Sequence, residues 1–260
     1  GGLVRTSGDF TDASSGCDSR GITGDDLTDC KSWLKAIPTK IFSLNDGLAT
    51  IQFQSLTVNP QNPTGDVMGG SQDNGTWAYS TNPSNWFESV GGDGGQSAID
   101  YGNPNIRMHT YYGPNGDINF KGTDPTGWDS VTDPLNASKE AASFYVPLIA
   151  DPQVSGTLFV GLEHVWRTQD DGGPQATLDQ HCNEMTGDFT VQCGDWVPLG
   201  SAKLTGTSFG VDKAGSYIVA LGRAAADKST LWAATRLGRL FISTNADANA
   251  ADVTLSLIHI

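Results

Sequence analysis

One pattern of strands and turns occurs four times along the chain and restricts its fold more than any other feature. Each copy has an alternating strand, an Asp/Asn/Pro/Gly turn, a second strand rich in Val, Leu, Phe or Trp, and a further Asp/Asn/Gly turn. The copies begin near Ile51, Gln96, Phe144 and Tyr217. Apart from one longer gap, they recur about every 45 to 50 residues, the period of four-stranded propeller blades. The sequence therefore predicts an all-β propeller, with about four to five blades, rather than a β-sandwich.

Two local signals refine this prediction. Pro114-Asn115-Gly116-Asp117 is a strong hairpin turn, since Asn-Gly tolerates the positive φ values of a type I′ turn. Helix is scarce, and the best candidate runs from about Asp25 to Ile37, with Asp25 or Asp26 as the cap. We expect this short helix to belong to an insertion spanning 8–47 within a single propeller domain.

The four cysteines fall into two local pairs, Cys17 with Cys30 and Cys182 with Cys193, each in a stretch rich in Gly, Asp and Thr. Neither pair has the C-x-x-C spacing of zinc or redox sites, so two loop-closing disulfides are favoured over free thiols. The second pair marks a loop insertion at 174–195. Disulfides predict an oxidising, extracytoplasmic location, and hence a secreted protein.

Charge and hydropathy exclude two classes of partner. The chain of 260 residues has 15 Lys+Arg against 29 Asp+Glu, a net charge of −14, which would repel nucleic-acid backbones and anionic membrane surfaces. No apolar stretch approaches the roughly 20 residues that a membrane helix requires. We therefore expect neither a nucleic-acid partner nor a membrane span.

Several turns resemble the Asp-box (BNR) repeat, whose signature is roughly S/T-x-D-x-G-x-T-W. Ser71-Gln72-Asp73-Asn74-Gly75-Thr76-Trp77 matches with one residue missing. Further partial copies are Thr168-Gln169-Asp170-Asp171-Gly172-Gly173 with a delayed Trp196, the degraded Ser243-Thr244-Asn245-Ala246-Asp247, and the tail of a box at Gly1-Gly2-Leu3-Val4-Arg5-Thr6-Ser7. The chain is thus similar to sialidase-like and xyloglucanase-like propellers, and to uncharacterised secreted bacterial BNR-repeat proteins.

This resemblance implies that the chain is a fragment. Similar proteins continue past both of its ends, so the propeller is expected to be incomplete. The final Leu255-Ser256-Leu257-Ile258-His259-Ile260 breaks the blade pattern and is interpreted as a non-native tail.

The resemblance also implies candidate catalytic residues. Glycoside hydrolysis requires two carboxylates on either side of one bond. Asp93, in Gly91-Gly92-Asp93-Gly94-Gly95, is similar to the segment that carries the catalytic acid in xyloglucan-active propellers. Asp73 and Asp170 are the nearest counterparts of the partner base. Carboxylates in such turns also have purely structural roles, so both interpretations stay open.

Other polar residues are candidates for substrate binding. Strand alternation would place Glu163 and Arg167 on one face, where they either form an ion pair or line the channel mouth, and His164 on the other. His109 and Tyr111 could supply groups for sugar stacking. The histidines lack the ligand spacing of a transition-metal site. We therefore expect no cofactor, and structural calcium at the acidic turns has no supporting motif.

Two functions remain open. The first is a carbohydrate-binding or glycoside-hydrolysing propeller of the sialidase-like superfamily, acting on a polysaccharide or glycan. The alternative is a non-catalytic scaffold of the sortilin-like type that binds a protein or peptide.

Overall fold

The computed structural model describes residues 3–44, 51–81 and 85–258. These divide into two compact units, Gly1–Ile51 and Gln52–Ile260. Some residues named in the sequence analysis lie outside the described residues. These are Gly1 and Gly2 of the first partial Asp box, residues 45–47 of the expected insertion, and His259 and Ile260 of the expected non-native tail. Among those described, no helix is long and apolar enough to cross a bilayer.

The first unit is small and contains the first cysteine pair. Its elements are β1 (Val4–Thr6), β2 (Phe10–Thr11), a 3₁₀ turn (Ser14–Cys17), α1 (Gly24–Leu34), β3 (Ile37–Pro38) and β4 (Ile41–Ser43). β1 pairs with β4, and β2 pairs with β3. The Cys17–Cys30 disulfide is confirmed and joins the 3₁₀ turn to α1.

The predicted helix is confirmed, but its expected end is wrong. α1 ends at Leu34, and Ile37 instead pairs with Thr11 in a two-stranded sheet. Pro38 explains this difference, because a proline disfavours the helical conformation of the residue before it. Thr23, rather than Asp25 or Asp26, occupies the N-cap position.

The described residues of the second unit form four four-stranded antiparallel sheets, each made of consecutive strands. Their strands are β5 (Thr57–Val58), β6 (Asp66–Gly70), β7 (Thr76–Ser80) and β8 (Phe87–Val90) in blade 1; β9 (Ser97–Ile99), β10 (Arg107–Thr110), β11 (Gly116–Asn119) and β12 (Trp128–Ser130) in blade 2; β13 (Leu148–Ala150), β14 (Leu158–Gly161), β15 (Val165–Thr168) and β16 (Val197–Pro198) in blade 3; and β17 (Ile218–Arg223), β18 (Leu231–Thr235), β19 (Leu240–Ser243) and β20 (Ser256–Ile258) in blade 4. The predicted all-β class and four-stranded blades are confirmed.

The first strands of successive blades lie side by side, β5 beside β9, β9 beside β13, and β13 beside β17. Hydrophobic contacts between neighbouring blades form the core. Strand alternation explains this arrangement in β14, where Leu158 and Val160 pack with blade 2 while Phe159, on the opposite face, packs with blade 4. Each inner blade is therefore buried on both faces.

Buried polar contacts also join neighbouring blades. The Arg107 guanidinium in blade 2 donates two hydrogen bonds, of 2.9 and 2.5 Å, to the Asp66 carboxylate in blade 1. Arg223 in blade 4 donates to Asp151 of blade 3 at 2.7 Å. Asp100 in blade 2 accepts a hydrogen bond from the Gly156 amide of blade 3 at 2.7 Å. Neighbouring blades are thus held together by polar and charged contacts as well as by hydrophobic packing.

Because successive strands of each blade run in opposite directions, the turns and connections of the second unit lie at two ends. The front rim carries the turns after β6, β10, β14 and β18 and the connections between blades. The back rim carries the turns after the first and third strand of each blade. Hydrogen bonds between neighbours support this division, from Gly95 to Thr110 and from Gly113 to Phe144 at the front, and from Gln153 to Ala225 at the back.

Three segments differ from the sequence expectations. Ser256–Ile258 pairs with β19 and forms the fourth strand of blade 4, so the expected break in the blade pattern is wrong for these residues. Two short helices were missed, α2 (Asp133–Ser138) and α3 (Gln175–His181). Pro134 in the first turn of α2 was the available signal, since proline favours that position. The Cys182–Cys193 disulfide is confirmed and directly follows α3.

Candidate functional site

Two aspartates of the predicted catalytic set meet at the front rim. Asp93 Oδ1 accepts a hydrogen bond from the Asp73 backbone amide at 3.0 Å. Asp73 lies in the turn between β6 and β7 with a φ of 58°, while Asp93 lies in the connection from blade 1 to blade 2. Glycine permits the close approach of the two segments, because a Cβ at Gly94 would overlap the carbonyl oxygen of Gly75.

Three aromatic side chains form a group at the same rim, and the phenol of one of them, Tyr145, interacts with both carboxylates. Phe144 and Tyr112 are 54% and 57% exposed, and their rings stack with centroids 6.1 Å apart. Tyr145 contacts the edge of Phe144 at 4.9 Å between centroids. Burial, and then the negative charges of Asp93 and Asp73, raise the pKa of the Tyr145 phenol. We call Asp73, Asp93, Tyr112, Phe144 and Tyr145 the front-rim patch.

Local backbone pairing holds this patch together. Gly113, in the hairpin turn between β10 and β11, donates its amide to the Phe144 carbonyl at 2.8 Å and forms an isolated bridge with Tyr145. The turn in blade 2 therefore positions the aromatic segment that leads into blade 3. The sequence indicated Asp93 and a hairpin here. Its expected type I′ turn at Pro114–Asp117 is wrong, because the last two of these residues lie in β11 and the left-handed residue of the turn is Gly113. The sequence gave no signal that Phe144 and Tyr145 would meet this turn.

A second polar group lies at the front end of blade 3. Glu140 accepts hydrogen bonds from the His164 ring at 2.5 Å, from the Trp166 indole at 3.1 Å, and from the amides of Glu163 and His164. Burial acts to raise the pKa of Glu140, but these hydrogen bonds outweigh it and lower the pKa to about 2. His164 is therefore held by a carboxylate that sequence reasoning missed.

Glu163 and Arg167 do not form the ion pair that the sequence left open as one of two alternatives. Glu163 accepts a hydrogen bond from Lys203 Nζ at 2.6 Å and from the Thr205 hydroxyl at 3.1 Å. Glu163 precedes β15 at the front rim, whereas Arg167 lies near its other end and donates to the carbonyl oxygen of Ala246 in blade 4. Alternation alone does not place two residues together when one lies in the turn before the strand.

His109 and Tyr111, predicted to stack on sugars, belong to an internal network. His109 is fully buried, with Nδ1 at 3.2 Å from the Thr76 hydroxyl and Nε2 at 3.4 Å from Asp117. Tyr111 donates to the same Asp117 carboxylate at 2.7 Å, and burial followed by the Asp117 charge raises the pKa of the Tyr111 phenol. A buried imidazole cannot stack on a bound sugar, so His109 is not part of the patch.

Asp170 lies at the back rim, away from Asp73 and Asp93. It follows β15, and its side chain accepts a hydrogen bond from the Thr168 hydroxyl at 3.2 Å. The same hydroxyl contacts Asp195 at 2.7 Å, and burial together with the hydrogen bond to Asp170 raises the pKa of Asp195 to about 6. Asp170 therefore cannot act with Asp93 on one bond.

The two best matches to the Asp-box pattern thus occupy different places in their blades. Ser71–Trp77 connects the second and third strands of blade 1, whereas Thr168–Gly172 follows the third strand of blade 3. The degraded copy at Ser243–Asp247 follows the third strand of blade 4. Similar turn sequences do not mark equivalent turns here.

Two cavities of the second unit are lined by residues outside the front-rim patch. One of about 500 Å³ is lined by β5, β9 and β13 and by the turns that follow them. Another, of about 320 Å³, lies between blades 1 and 2 and is lined by Glu88, Tyr111, Trp128, Glu184 and Met185 among others. Burial, then the charges of Asp117 and Asp129, raise the pKa of Glu184. Neither Glu88 nor Glu184 was indicated by the sequence.

No cluster of His, Cys, Asp or Glu suited to a metal ion occurs in the part of the chain that the structure describes.

Comparisons with solved structures identify the fold. An ancestral GH74 enzyme is similar with a TM-score of 0.51 and 13% identity, over 80% of this chain and 25% of that chain. The fold is that of a β-propeller. This propeller chain also matches the GH74 xyloglucanase from Xanthomonas campestris, with a TM-score of 0.49 and 14% identity over 78% of this chain and 29% of the other. YCF48 bound to D1 peptide matches with a TM-score of 0.43 and 10% identity, over 84% of this chain and 58% of that one.

The likeness to the ancestral GH74 enzyme establishes the fold alone. The chain spans about a quarter of the length of the ancestral GH74 enzyme. No protein-family model and no curated protein matches the chain.

Proposed function

We propose that the chain is a carbohydrate-binding propeller and that the front-rim patch is its binding site. The observation that carries this proposal is the stacked, exposed pair Tyr112 and Phe144. Phe144 contacts Tyr145, whose phenol interacts with the carboxylates of Asp93 and Asp73. Aromatic faces pack against the C–H groups of a sugar ring, and carboxylates accept hydrogen bonds from its hydroxyls. Both kinds of contact are available in one patch.

The charge of the patch favours neutral sugars. Its ionisable groups include two aspartates, and the whole chain has a net charge of −14. A sialic acid or uronic acid would be repelled, whereas a neutral polysaccharide is not. The proposed ligand class is therefore a neutral oligosaccharide or polysaccharide.

Calorimetric titration with neutral gluco-, xylogluco- and manno-oligosaccharides tests the proposal. Phe144→Ala and Tyr112→Ala should each weaken binding about tenfold, since an aromatic contact contributes about 0.5–1.5 kcal/mol beyond the area it buries. Tyr101→Ala is the matched control, because Tyr101 is 47% exposed and lies at the back rim. Equal loss in all three variants would contradict the assignment of the site.

Glycoside hydrolysis is the second candidate, because the Asp93 carboxylate contacts the Asp73 backbone and both residues belong to the patch. A retaining mechanism requires carboxyl groups about 5 Å apart, and an inverting mechanism about 6.5–9.5 Å. Turnover of chromogenic glycosides that is lost in both Asp93→Asn and Asp73→Asn would support hydrolysis. Binding without turnover supports recognition alone, and failure to bind any sugar would favour the protein-binding scaffold.

We also propose that the protein works outside the cytoplasm. The two disulfides support this location, because such bonds persist in oxidising compartments.

A further inference from the structure

A small cavity of about 160 Å³ lies between blades 3 and 4 at the back rim, on the opposite side from the front-rim patch. Its lining includes Thr157, Arg167, Gln169, Arg223, Lys228 and Asp247. The first three residues belong to blade 3, and the others belong to blade 4 and its turns. The cavity is therefore a junction between two blades.

Arg167 is the most unusual residue of this cavity. It is 2% exposed, and it donates through Nη1 and Nη2 to the carbonyl oxygens of Ala246 and Ala248, at 2.7 and 2.9 Å. Its Nε–H is buried without a hydrogen-bond partner. No carboxylate among the described residues forms an ion pair with it. This buried guanidinium thus has no carboxylate partner among those residues for its charge, and its Nε–H has no acceptor.

Thr157 provides a second unsatisfied group. Its side chain is 3% exposed, and its hydroxyl has no hydrogen-bond partner. Buried polar groups of folded proteins are usually paired with protein or with an ordered ligand or water. Two such groups lining one cavity indicate that the cavity holds a molecule that accepts hydrogen bonds.

The charges at the cavity identify the kind of acceptor. Arg223 is paired with Asp151 at 2.7 Å, while Lys228 and Asp247 are exposed and 4.0 Å apart. With Arg167 included, three cations face two carboxylates, which makes this junction locally positive in a chain of net charge −14. We propose that the cavity is a binding site for a small oxyanion, sulfate or phosphate, either free or as an ester group.

The donor geometry favours a tetrahedral anion over a planar carboxylate. A carboxylate is best bound by the two parallel N–H groups of one guanidinium. Arg167 directs one N–H of each Nη group to a carbonyl, and Arg223 directs Nε–H to Asp151 and one Nη1 N–H to the Thr230 carbonyl. Donors therefore remain on several side chains that line the cavity, among them Arg167 Nε, the Thr157 hydroxyl and Lys228 Nζ, as a tetrahedral ion with several acceptor oxygens requires. The cavity volume of about 160 Å³ is also sufficient for such an ion, because it is several times the volume of about 30 Å³ that one water molecule occupies in the liquid.

Anion binding is tested first by soaking crystals in sodium selenate, whose selenium gives an anomalous signal. We expect a peak in the cavity within hydrogen-bond distance of Arg167 Nε and the Thr157 hydroxyl. A cavity that contains only water at saturating selenate would overturn the proposal.

Affinity is tested by calorimetric titration with sodium sulfate against sodium chloride of equal ionic strength. Lys228→Gln and Thr157→Val should each weaken sulfate binding about tenfold, because a hydrogen bond to a charged group is lost. Lys121→Gln is the matched control, since Lys121 is exposed and pairs with Asp179 on another part of the unit. Unchanged affinity in both cavity variants, with folding verified by circular dichroism, would refute the assignment.

Two further probes separate the possible sources of the anion. Glucose 6-sulfate and glucose 6-phosphate should bind more tightly than the inorganic ions if the natural ligand is an ester, and less tightly if it is the free ion. Absence of binding for all four probes would contradict the proposal. The carbohydrate titrations at the front rim are independent of this result, because the two sites share no residue.

Discussion

The Asp93 carboxylate accepts a hydrogen bond from the Asp73 backbone amide at 3.0 Å, which links the β6–β7 turn to the connection between blades 1 and 2. Asp93 thus holds the turn in place and also contributes charge to the front-rim patch. The two roles can be separated because asparagine retains the acceptor oxygen but not the charge.

We predict that Asp93→Ala lowers the free energy of unfolding by about 1 kcal/mol, since the Asp73 amide loses its acceptor. Asp93→Asn should unfold close to the wild type in urea, yet bind neutral oligosaccharides more weakly. If asparagine restores sugar affinity in full, the charge of Asp93 has no part in recognition.

The Arg107–Asp66 pair carries the second prediction. Both side chains are less than a tenth exposed, and the two hydrogen bonds cross from blade 2 to blade 1. Arg107→Leu leaves a buried carboxylate uncompensated, so it should cost about 3–5 kcal/mol in urea unfolding. The exposed Lys121–Asp179 pair is the control, and Lys121→Ala should cost less than about 1 kcal/mol. A similar small cost for both variants would show that the inter-blade pair does not stabilise the fold.

The pH dependence of stability follows from buried carboxylates. Burial raises the pKa of Asp171 to about 7 and that of Asp129 to about 6, while the unfolded chain has the ordinary value near 3.8. Between pH 4 and 7 the folded state therefore keeps protons that the unfolded state has released. Stability should fall as the pH rises through this range. Glu140 acts in the opposite sense, because its pKa of about 2 makes stability fall as the pH decreases from about 4.5 towards 2.

Asp171→Asn tests this pH dependence. Asp171 has a φ of 60°, a left-handed conformation that asparagine tolerates, so the substitution removes the charge without straining the backbone. Urea unfolding at pH 5 and pH 8 should show a smaller loss of stability in the variant than in the wild type. An identical loss would mean that Asp171 titrates normally in the folded protein.

The disulfide between Cys182 and Cys193 carries the fourth prediction. Both residues are buried, and their carbonyls accept hydrogen bonds from Ser130 and Asp133 of blade 2 and its following helix. Cys182→Ser with Cys193→Ser should lower the free energy of unfolding by about 3 kcal/mol, the loop-closure value for a short loop. Urea titration of the oxidised wild type, the reduced wild type and the double variant measures it. Equal midpoints in all three samples would show that the backbone contacts suffice.

The sequence predicted the blades and the disulfides because these depend on local patterns. The alternation of side chains and the turn residues predicted the strand pair β9 and β10 and the strand pair β17 and β18. The spacing of the cysteines predicted both disulfides. By contrast, the residues that join blades depend on long-range contacts. Arg167 reaches Ala246, and Glu140 reaches Trp166, across distances that no periodicity encodes.

The candidate site was only partly predictable for the same reason. Asp93 and Asp73 were identified from their turns and lie together at the front rim. Asp170 was selected by the same turn pattern, but it lies at the back rim because its turn follows a third strand rather than a second. His109 was selected for its neighbouring tyrosines, but β10 is buried on both faces along its whole length, so His109 is fully buried as well.

The most direct test of the proposed function is a crystal structure of the chain soaked with a neutral oligosaccharide at saturating concentration. We predict a sugar ring packed against Phe144 and Tyr112, with a hydroxyl within hydrogen-bond distance of Asp93 or Asp73. A sugar ordered elsewhere on the propeller, or a front rim that stays free of sugar, would contradict the account.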